Sequence, residues 1–483
     1  MPKKSNQRSR RTFLKTATTT AAAFMIVPRH VLGGKGYVAP SDTVNIAAIG
    51  SGGKGKGTIN NLRTKGTNVN FVALCDVDDR MAADAREWYP NASYHRDFRK
   101  MLDERGKDID AVIISTPDHT HAIAGLAAMA LGKHVYIEKP LAHSIAEARA
   151  LTEMALANPQ LVTQMGNQGA SGEGIRRTQE MYEAGLIGDV HTIRAFTNRP
   201  VWPQGGKLPV GSTPIPKEMD WNLWLGPAAM RPHHEDYYPF AWRGYWDFGT
   251  GALGDMGCHI IDTPFYILEL GYPDSAEASV AQYYSQNWTP DYNPHTAPMA
   301  EKIIMKFPAR GKSIEGNGPK PPVKLIWTDG GILPERPEEL ASDEAMGSGG
   351  GGIILEGTKG KLMTDTYGDN SRLLPLSLNE DLEVAKTLPR VETFHEQDWI
   401  NGILQGYQPS SHLGKAGPLT ETILMGNLAV RGYNHRFPDP KSTKEDAYTV
   451  PGRTRLEWDG PNMKVTNVDE MNYFVQNQKV REF

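Results

Sequence analysis

Short apolar runs alternate with amphipathic stretches over the first part of the chain. The stretches between the runs, among them "AADAREWYP" and "AIAGLAAMALGK", are typical of helices. Each apolar run is nearly continuous, as in the strands of a parallel sheet that is covered on both faces. The pattern predicts a doubly wound α/β domain over residues 42–168. Its predicted strands are 44–49, 68–79, 108–121, a fourth that together with its exit loop spans 134–144, and 161–169.

The later part of the chain has a different pattern. Strand-like apolar runs are separated by glycine- and proline-rich loops at 309–324 and 346–352. Such loops are typical of surface insertions. Residues 169–450 therefore predict a second, α+β domain with a large, mostly antiparallel open sheet. A late helix with an apolar face is predicted over 419–431, and we assign 451–483 to a C-terminal tail.

Composition narrows the classes of function. The net charge is -4, and 39% hydrophobic with 22% charged residues is usual for a globular protein. This balance gives no reason to expect nucleic acid or an anionic membrane as a partner. Cys75 and Cys258 stand in apolar segments and predict buried thiols. Because the chain has no Cys-x-x-Cys pair or Cys/His cluster, we expect no metal site.

The first 36 residues carry a targeting pattern. Two arginines within "SRRTFLK" precede a short, weakly apolar stretch. This order is typical of a twin-arginine export signal, and the stretch is too short and too polar to span a bilayer. A basic tail before an alanine-rich helix is the alternative. We predict that residues 1–36 direct the folded protein to the periplasm.

A glycine-rich turn follows the first predicted strand. Gly50, Gly52 and Gly55 form G-x-G-x-x-G between that strand and a helix, and Asp76 closes the second strand. The first glycine permits a tight turn, the second lets the backbone approach a pyrophosphate, and the third brings helix and strand together. Asp76 would bind the adenosine ribose and repel a 2′-phosphate. The motif predicts a Rossmann domain that binds NAD rather than NADP; a glycine turn without a ligand is the alternative.

Further candidate cofactor residues lie beside this turn and where other strands end. In an open parallel sheet, ligands bind at the carboxyl ends of the strands, and phosphates bind at helix N-termini. These further candidates are Ser51, Gly53, Lys54, Ser115, Thr116, Pro117, His119, His121, Glu138, Lys139 and Gln168. They would place a dinucleotide along one edge of the sheet.

A later segment, "GALGDMGCHIID", spaces acidic residues around a histidine. Asp255 and His259 are four residues apart, and His259 and Asp262 are three apart, so a helix would bring each pair together. An imidazole beside a carboxylate keeps one tautomer and takes up a proton near neutral pH. From spacing alone, a capping aspartate with a core histidine is an equally good interpretation.

The segment "GKHVYIEKPLAHSIAEARAL" and the region 240–270 resemble the Gfo/Idh/MocA family of oxidoreductases. The resemblance implies an NAD-dependent enzyme acting on a carbohydrate hydroxyl or ketone, with Lys139, Asp255 and His259 as the catalytic set. In it, Lys139 would stabilise the reacting oxygen, His259 would accept the hydroxyl proton and Asp255 would orient the sugar or the histidine. The resemblance also implies a cis bond before Pro140 and a dimer or tetramer formed through the open sheet.

The predicted substrate site adds three residues to the catalytic set. Trp242 and Arg243 resemble a family segment that lines the site, where an aromatic face stacks on a sugar ring; Asn198 and Arg243 would bind hydroxyls. An exported enzyme has little access to soluble NAD, so we expect the cofactor to be tightly bound. Two alternatives stay open: a glycosidase that oxidises its substrate transiently with NAD, and a non-catalytic sugar-binding protein that retains NAD.

Overall fold

The computed structural model describes residues 42–316, 318–348, 350–476 and 480–483. The predicted export signal lies outside these residues, so its role stays a prediction.

The first sheet is six-stranded, with the order β3-β2-β1-β4-β5-β6. Its strands are β1 (Val44–Ile49), β2 (Val69–Cys75), β3 (Ser93–His95), β4 (Ala111–Ile114), β5 (His134–Ile137) and β6 (Thr163–Met165). The helices of this half are α1 (Gly53–Lys65), α2 (Ala83–Trp88), α3 (Phe98–Arg105), α4 (His121–Ala130) and α5 (Ile145–Ala157). The pairs β2–β3, β1–β4, β4–β5 and β5–β6 are parallel. The predicted doubly wound fold is confirmed.

Two local differences separate the predicted from the observed strands. The prediction missed β3, because its three residues are only half-buried and form no apolar run. The strand predicted over 108–121 ends at Ile114, because Pro117 has no N–H for a ladder and a 3-10 turn follows at Asp118–Thr120.

The second sheet has nine strands within the described residues, ordered β13-β12-β11-β7-β10-β9-β8-β16-β17. They are β7 (Val190–Thr197), β8 (Ser275–Val280), β9 (Glu301–Phe307), β10 (Val323–Thr328), β11 (Gly351–Gly357), β12 (Lys361–Asp365), β13 (Arg372–Leu374), β16 (Leu456–Asp459) and β17 (Lys464–Val465). A small hairpin, β14 (Phe437–Pro438) and β15 (Tyr448–Thr449), stands apart. Among the strand pairs described in this second sheet, only β7–β10 is parallel. The prediction of a mostly antiparallel sheet is therefore confirmed.

Helices of the second half pack on both sheets. They are α6 (Glu173–Glu183), α7 (Trp221–Leu225), α8 (Gly251–Ile260), α9 (Asp262–Ile267), α10 (His395–Gln405) and α11 (Leu413–Asn434). The predicted late helix is α11, which begins six residues earlier than expected and contains Pro418. It packs against α5 of the first half, where Arg149 and Glu421 form a buried ion pair (2.8 Å). This contact ties the second half to the nucleotide-binding half.

The segment 451–483, predicted as a tail, is part of the fold. β16 pairs with β8, and alternation along β16 buries Leu456 and Trp458 against the core. One continuous apolar core joins the two sheets, and residues 45–483 form one compact unit. Both cysteines are free and buried, as predicted. No helix among the described residues has the length and apolar character needed to cross a membrane.

Candidate active site

A cavity of about 640 Å³ lies where the carboxyl ends of β1, β2, β4 and β5 face α8. Its volume is in the range of cofactor and small-molecule sites. The predicted site residues that line it are Gly50, Gly52, Gly53, Lys54, Asp76, Ser115, Thr116, Pro117, Glu138, Lys139, Gln168, Trp242, Arg243, Asp255 and His259. The nucleotide and substrate candidates therefore share one cavity.

The glycine turn needs glycine for steric reasons. Gly50 has φ +81°, a left-handed conformation, and a Cβ there would lie 2.6 Å from the Ser115 carbonyl oxygen. A Cβ at Gly55 would clash with the Gly50 carbonyl oxygen. Gly55 and Ser51 do not line the cavity themselves; Ser51 donates from its hydroxyl to the Cys75 carbonyl (3.2 Å). The turn is thus a backbone cradle in which Gly50 and Gly55 cannot carry a side chain without a clash.

Asp76 follows β2 and faces this cradle. Its carboxylate accepts hydrogen bonds from the backbone N–H groups of Ser51 (2.9 Å), Gly52 (3.1 Å) and Asp78 (3.0 Å). Burial raises the pKa of Asp76 to about 6, although these three bonds oppose the rise. A carboxylate here accepts from ribose hydroxyls and repels a 2′-phosphate, so the residues present fit NAD.

Lys54 and Glu138 line the cavity beside the first turn of α1. Their charged groups are 3.6 Å apart, and the Gln168 amide, oriented to satisfy both of its ends, accepts from Lys54 Nζ (2.7 Å). Burial raises the pKa of Glu138. Gly166 leaves room for this carboxyl group, since a Cβ there would lie 2.6 Å from it. The lysine ammonium is thereby held near the helix end where phosphates bind.

Lys139 and Asp255 connect the two halves across the cavity. Lys139 Nζ donates to Asp255 Oδ1 (2.6 Å) and to the Asp255 backbone oxygen (2.8 Å). Burial alone would lower the pKa of Lys139, but the Asp255 carboxylate outweighs it and raises that pKa; likewise, burial would raise the pKa of Asp255, but Lys139 and Arg243 lower it. The Lys139–Pro140 bond is cis, as the resemblance implied.

His259 lies one turn after Asp255 on α8, which confirms the predicted helical spacing. Its Nδ1 donates to Asn167 Oδ1 (2.9 Å), which leaves the lone pair on Nε2. Burial and the nearby Lys139 charge lower the pKa of His259 well below its ordinary value, so the ring is neutral at neutral pH. The Tyr367 ring packs edge-on against it (4.9 Å between centroids). Asp262 lies at the start of the next helix, α9, and so is not on α8 with Asp255 and His259.

Arg243 is held by two aromatic rings. Its guanidinium carbon lies 4.3 Å from the Phe240 ring centre and 4.2 Å from that of Trp242, in cation–π geometry. Arg243 Nε is 3.5 Å from Asp255 Oδ1. Phe240 in turn packs edge-on against Trp202. These residues form a partly aromatic wall next to the catalytic candidates.

Besides Ser51 and Gly55, three further predicted residues do not reach the cavity. The ring nitrogens of His119 lie 3.1 and 3.3 Å from the carbonyl oxygens of Trp224 and Phe248. Those of His121 lie 2.8 Å from the carbonyl oxygens of both Pro140 and Thr116. These two imidazoles fix backbone around the site, whereas Asn198 is exposed outside it. We therefore remove all three from the set of direct ligand contacts.

Several cavity residues were missed by the sequence analysis. Asp118 accepts from the Thr250 hydroxyl (2.7 Å), and burial raises the pKa of Asp118 to about 7. Tyr367 and Phe483 reach the cavity from distant parts of the chain, and no local pattern marks them. Asn167 is fully buried behind His259. It stands next to the predicted Gln168, so its place at the end of the predicted strand 161–169 was the sequence signal that could have found it.

Comparison with known proteins finds matches in two segments of the chain. Residues 44–165 match the model of an oxidoreductase family with an NAD-binding Rossmann fold, GFO_IDH_MocA. Residues 175–287 match the C-terminal alpha/beta domain of the same oxidoreductase family. Over these residues the chain is similar to the Gfo/Idh/MocA oxidoreductases. The prediction of an NAD-binding Rossmann domain is thus confirmed.

Among the described residues, no group of three or more His, Cys, Asp or Glu side chains is placed to hold a metal ion.

Proteins similar to this chain include named dehydrogenases. An inositol 2-dehydrogenase/D-chiro-inositol 3-dehydrogenase of Lacticaseibacillus casei is 31% identical over 153 residues, 32% of this chain and 44% of that protein. A levoglucosan dehydrogenase of Pseudarthrobacter phenanthrenivorans is 26% identical over 253 residues, 52% of each chain. The chain thus spans about half the length of these curated relatives.

Two further comparisons bear on the fold and on the glycosidase alternative. A glycosyl hydrolase family 109 protein of Solibacter usitatus is 32% identical over 162 residues, 31% of this chain and 36% of that protein. A solved levoglucosan dehydrogenase in complex with NADH and levoglucosan has a TM-score of 0.52 at 18% identity and covers 80% of this chain and 98% of its own. At that identity the likeness establishes the fold alone.

Proposed function

We propose that this protein is an NAD-dependent oxidoreductase that oxidises a hydroxyl group of a sugar or polyol, or reduces the corresponding ketone. The observation that carries the proposal is a single cavity lined by both the glycine cradle and the catalytic candidates Lys139, Asp255 and His259. The named inositol and levoglucosan dehydrogenases support a cyclic polyol or sugar as the substrate class.

NAD, when bound, accepts or donates the hydride. His259 acts as the proton acceptor, because its Nδ1 proton is committed to Asn167 and its Nε2 lone pair remains available. An ammonium has three N–H donors, and Asp255 takes two of those of Lys139. The third stays available for the carbinol oxygen, where it stabilises the negative charge that develops as the proton leaves. Asp255 keeps Lys139 charged and in place.

A transient oxidation that leads to glycoside cleavage is the second candidate. The glycosyl hydrolase family 109 relative favours it, and the same lysine and histidine would perform its first step. The two candidates differ in net chemistry, because hydride returns to the sugar after elimination in a glycosidase. Release of an aglycone without accumulation of reduced nicotinamide would support the glycosidase; accumulation without release would support the dehydrogenase.

The proposal is tested with the purified protein and a panel of inositols, levoglucosan, hexoses and glycosides. We expect at least one compound to change the absorbance band of reduced nicotinamide, with added NAD or with NAD that the protein retains. Denaturing the protein and identifying the released nucleotide tests the proposed tight binding. Binding of sugars without any redox change across the panel would contradict an enzymatic function and favour a sugar-binding protein.

A further inference from the structure

The substrate end of the cavity has a surplus of positive charge. We define the substrate end by its five charged side chains: Lys139, Arg199, Arg243, Asp118 and Asp255, all of which line the cavity. Lys54 and Glu138, which also line the cavity, form an ion pair with 3.6 Å between Lys54 Nζ and Glu138 Oε1. The set defined above therefore places three cations and two carboxyl groups on the cavity lining.

One carboxylate serves two of these cations. Asp255 Oδ1 accepts from Lys139 Nζ (2.6 Å) and lies 3.5 Å from Arg243 Nε. The second acid, Asp118, is buried against the Thr250 hydroxyl, and burial raises the pKa of Asp118 to about 7. Near neutral pH it is only partly ionised. The two acids together thus balance fewer than two of the three positive charges.

Arg199 supplies the charge that has no counterpart. It lies two residues beyond the end of β7, and α8, which carries Asp255 and His259, packs against β7 and β11. Its backbone oxygen accepts from Gly330 N (2.6 Å), and its side chain donates from Nη1 to Asn198 Oδ1 (3.2 Å). Among the residues that the structure describes, no carboxylate oxygen lies within 4.0 Å of the Arg199 guanidinium nitrogens.

We propose that the substrate is an anionic sugar, a hexuronate, whose carboxylate is bound by Arg199. This inference rests on the proposed function and names its substrate class. A guanidinium presents a planar fork of N–H donors that matches a carboxylate in two parallel hydrogen bonds. This surplus of positive charge favours an anionic substrate. Trp242 and Phe240, whose rings hold the Arg243 guanidinium, also line the cavity.

The experiment compares pairs of sugars that differ only at the terminal carbon. D-glucuronate is paired with D-glucose and D-galacturonate with D-galactose; D-glucose 6-phosphate distinguishes a phosphate from a carboxylate preference. kcat/KM is measured for each by nicotinamide absorbance, and affinity is measured separately by calorimetry. The variants are Arg199→Gln, Arg199→Lys, and Arg455→Gln, which removes an equal charge at an exposed position outside the cavity.

We expect the wild-type protein to prefer at least one uronate over its neutral partner by about tenfold or more, as for a charge-assisted pair. Arg199→Gln should abolish most of that ratio, Arg199→Lys should keep part of it, and Arg455→Gln should leave it unchanged. A preference for neutral sugars or for the phosphate, or an equal ratio in Arg199→Gln, would overturn the inference. So would the absence of uronate binding by calorimetry.

The calorimetric measurement separates this inference from the proposed function. If uronates bind in an Arg199-dependent way but no sugar is oxidised, the oxidoreductase proposal fails and the charge inference stands. If neutral sugars are oxidised and uronates are not preferred, the oxidoreductase proposal stands and the charge inference fails.

Discussion

The nucleotide end and the substrate end of the cavity are built in different ways. The nucleotide end comes from one short turn, Gly50–Gly55, whose shape depends on missing side chains. The substrate end comes from side chains that reach in from separate segments, such as Lys139 after β5, Asp255 and His259 on α8, and Arg199 after β7. Substitutions at the nucleotide end should therefore weaken cofactor binding, and substitutions at the substrate end should lower kcat.

Replacement of His259 should give the largest effect at the substrate end. His259→Ala removes the proposed proton acceptor, which costs about a hundred- to ten-thousandfold in kcat. NAD affinity should stay within a few-fold, because the glycine cradle is untouched. His191→Ala, at an exposed position outside the cavity, is the matched control. Turnover of His259→Ala within a few-fold of wild type would refute the assignment.

Replacement of Lys139 should follow in size. Lys139→Met keeps the length of the side chain but removes the donor to the carbinol oxygen, with an expected loss of about a hundred- to a thousandfold in kcat. The exposed Lys107→Met serves as the control for lost charge. Steady-state kinetics with the sugar that the wild type turns over measures the loss, and an effect confined to KM would count against stabilisation of the reacting oxygen.

At the nucleotide end, two glycines of α1 make a matched pair. A Cβ at Gly55 meets the Gly50 carbonyl, whereas a Cβ at exposed Gly57 meets nothing within 4 Å. Forced overpacking costs about 1–3 kcal/mol, so Gly55→Ala should weaken NAD binding about ten- to a hundredfold. Gly57→Ala should stabilise the helix by about 0.5–1 kcal/mol and leave NAD binding unchanged. Equal NAD affinities for both variants, by titration, would refute the cradle.

The last prediction concerns stability, through Asp118. Because folding raises its pKa from 3.8 to about 7, the folded state binds the proton more tightly than the unfolded state does. Wild type should therefore lose stability as the pH rises through this window, and Asp118→Asn should not. The difference in unfolding free energy, variant minus wild type, should be larger at about pH 8 than at about pH 5. The control Asp103→Asn removes a carboxylate at an exposed position and should show no such change with pH. If the difference in unfolding free energy between Asp118→Asn and wild type does not change with pH, Asp118 does not have a raised pKa in the folded state.

The same contrast explains what the sequence could predict. The glycine turn, Asp76 and the Asp255–His259 spacing are local, and each was found from residues near one another in the chain. Arg199, Tyr367 and Phe483 enter the cavity through long-range packing that no periodicity records. His119 and His121 were misassigned because position at a strand end does not reveal where a ring points; here both rings bind backbone carbonyls.

The central claim is that Lys139 and His259 act on one carbinol oxygen. An experimental structure of the protein with NAD and the sugar that it turns over tests this most directly. The account predicts an oxygen of that sugar within about 2.6–3.2 Å of both Lys139 Nζ and His259 Nε2. A sugar bound with its reacting oxygen near only one of the two groups, or bound outside this cavity, would contradict it.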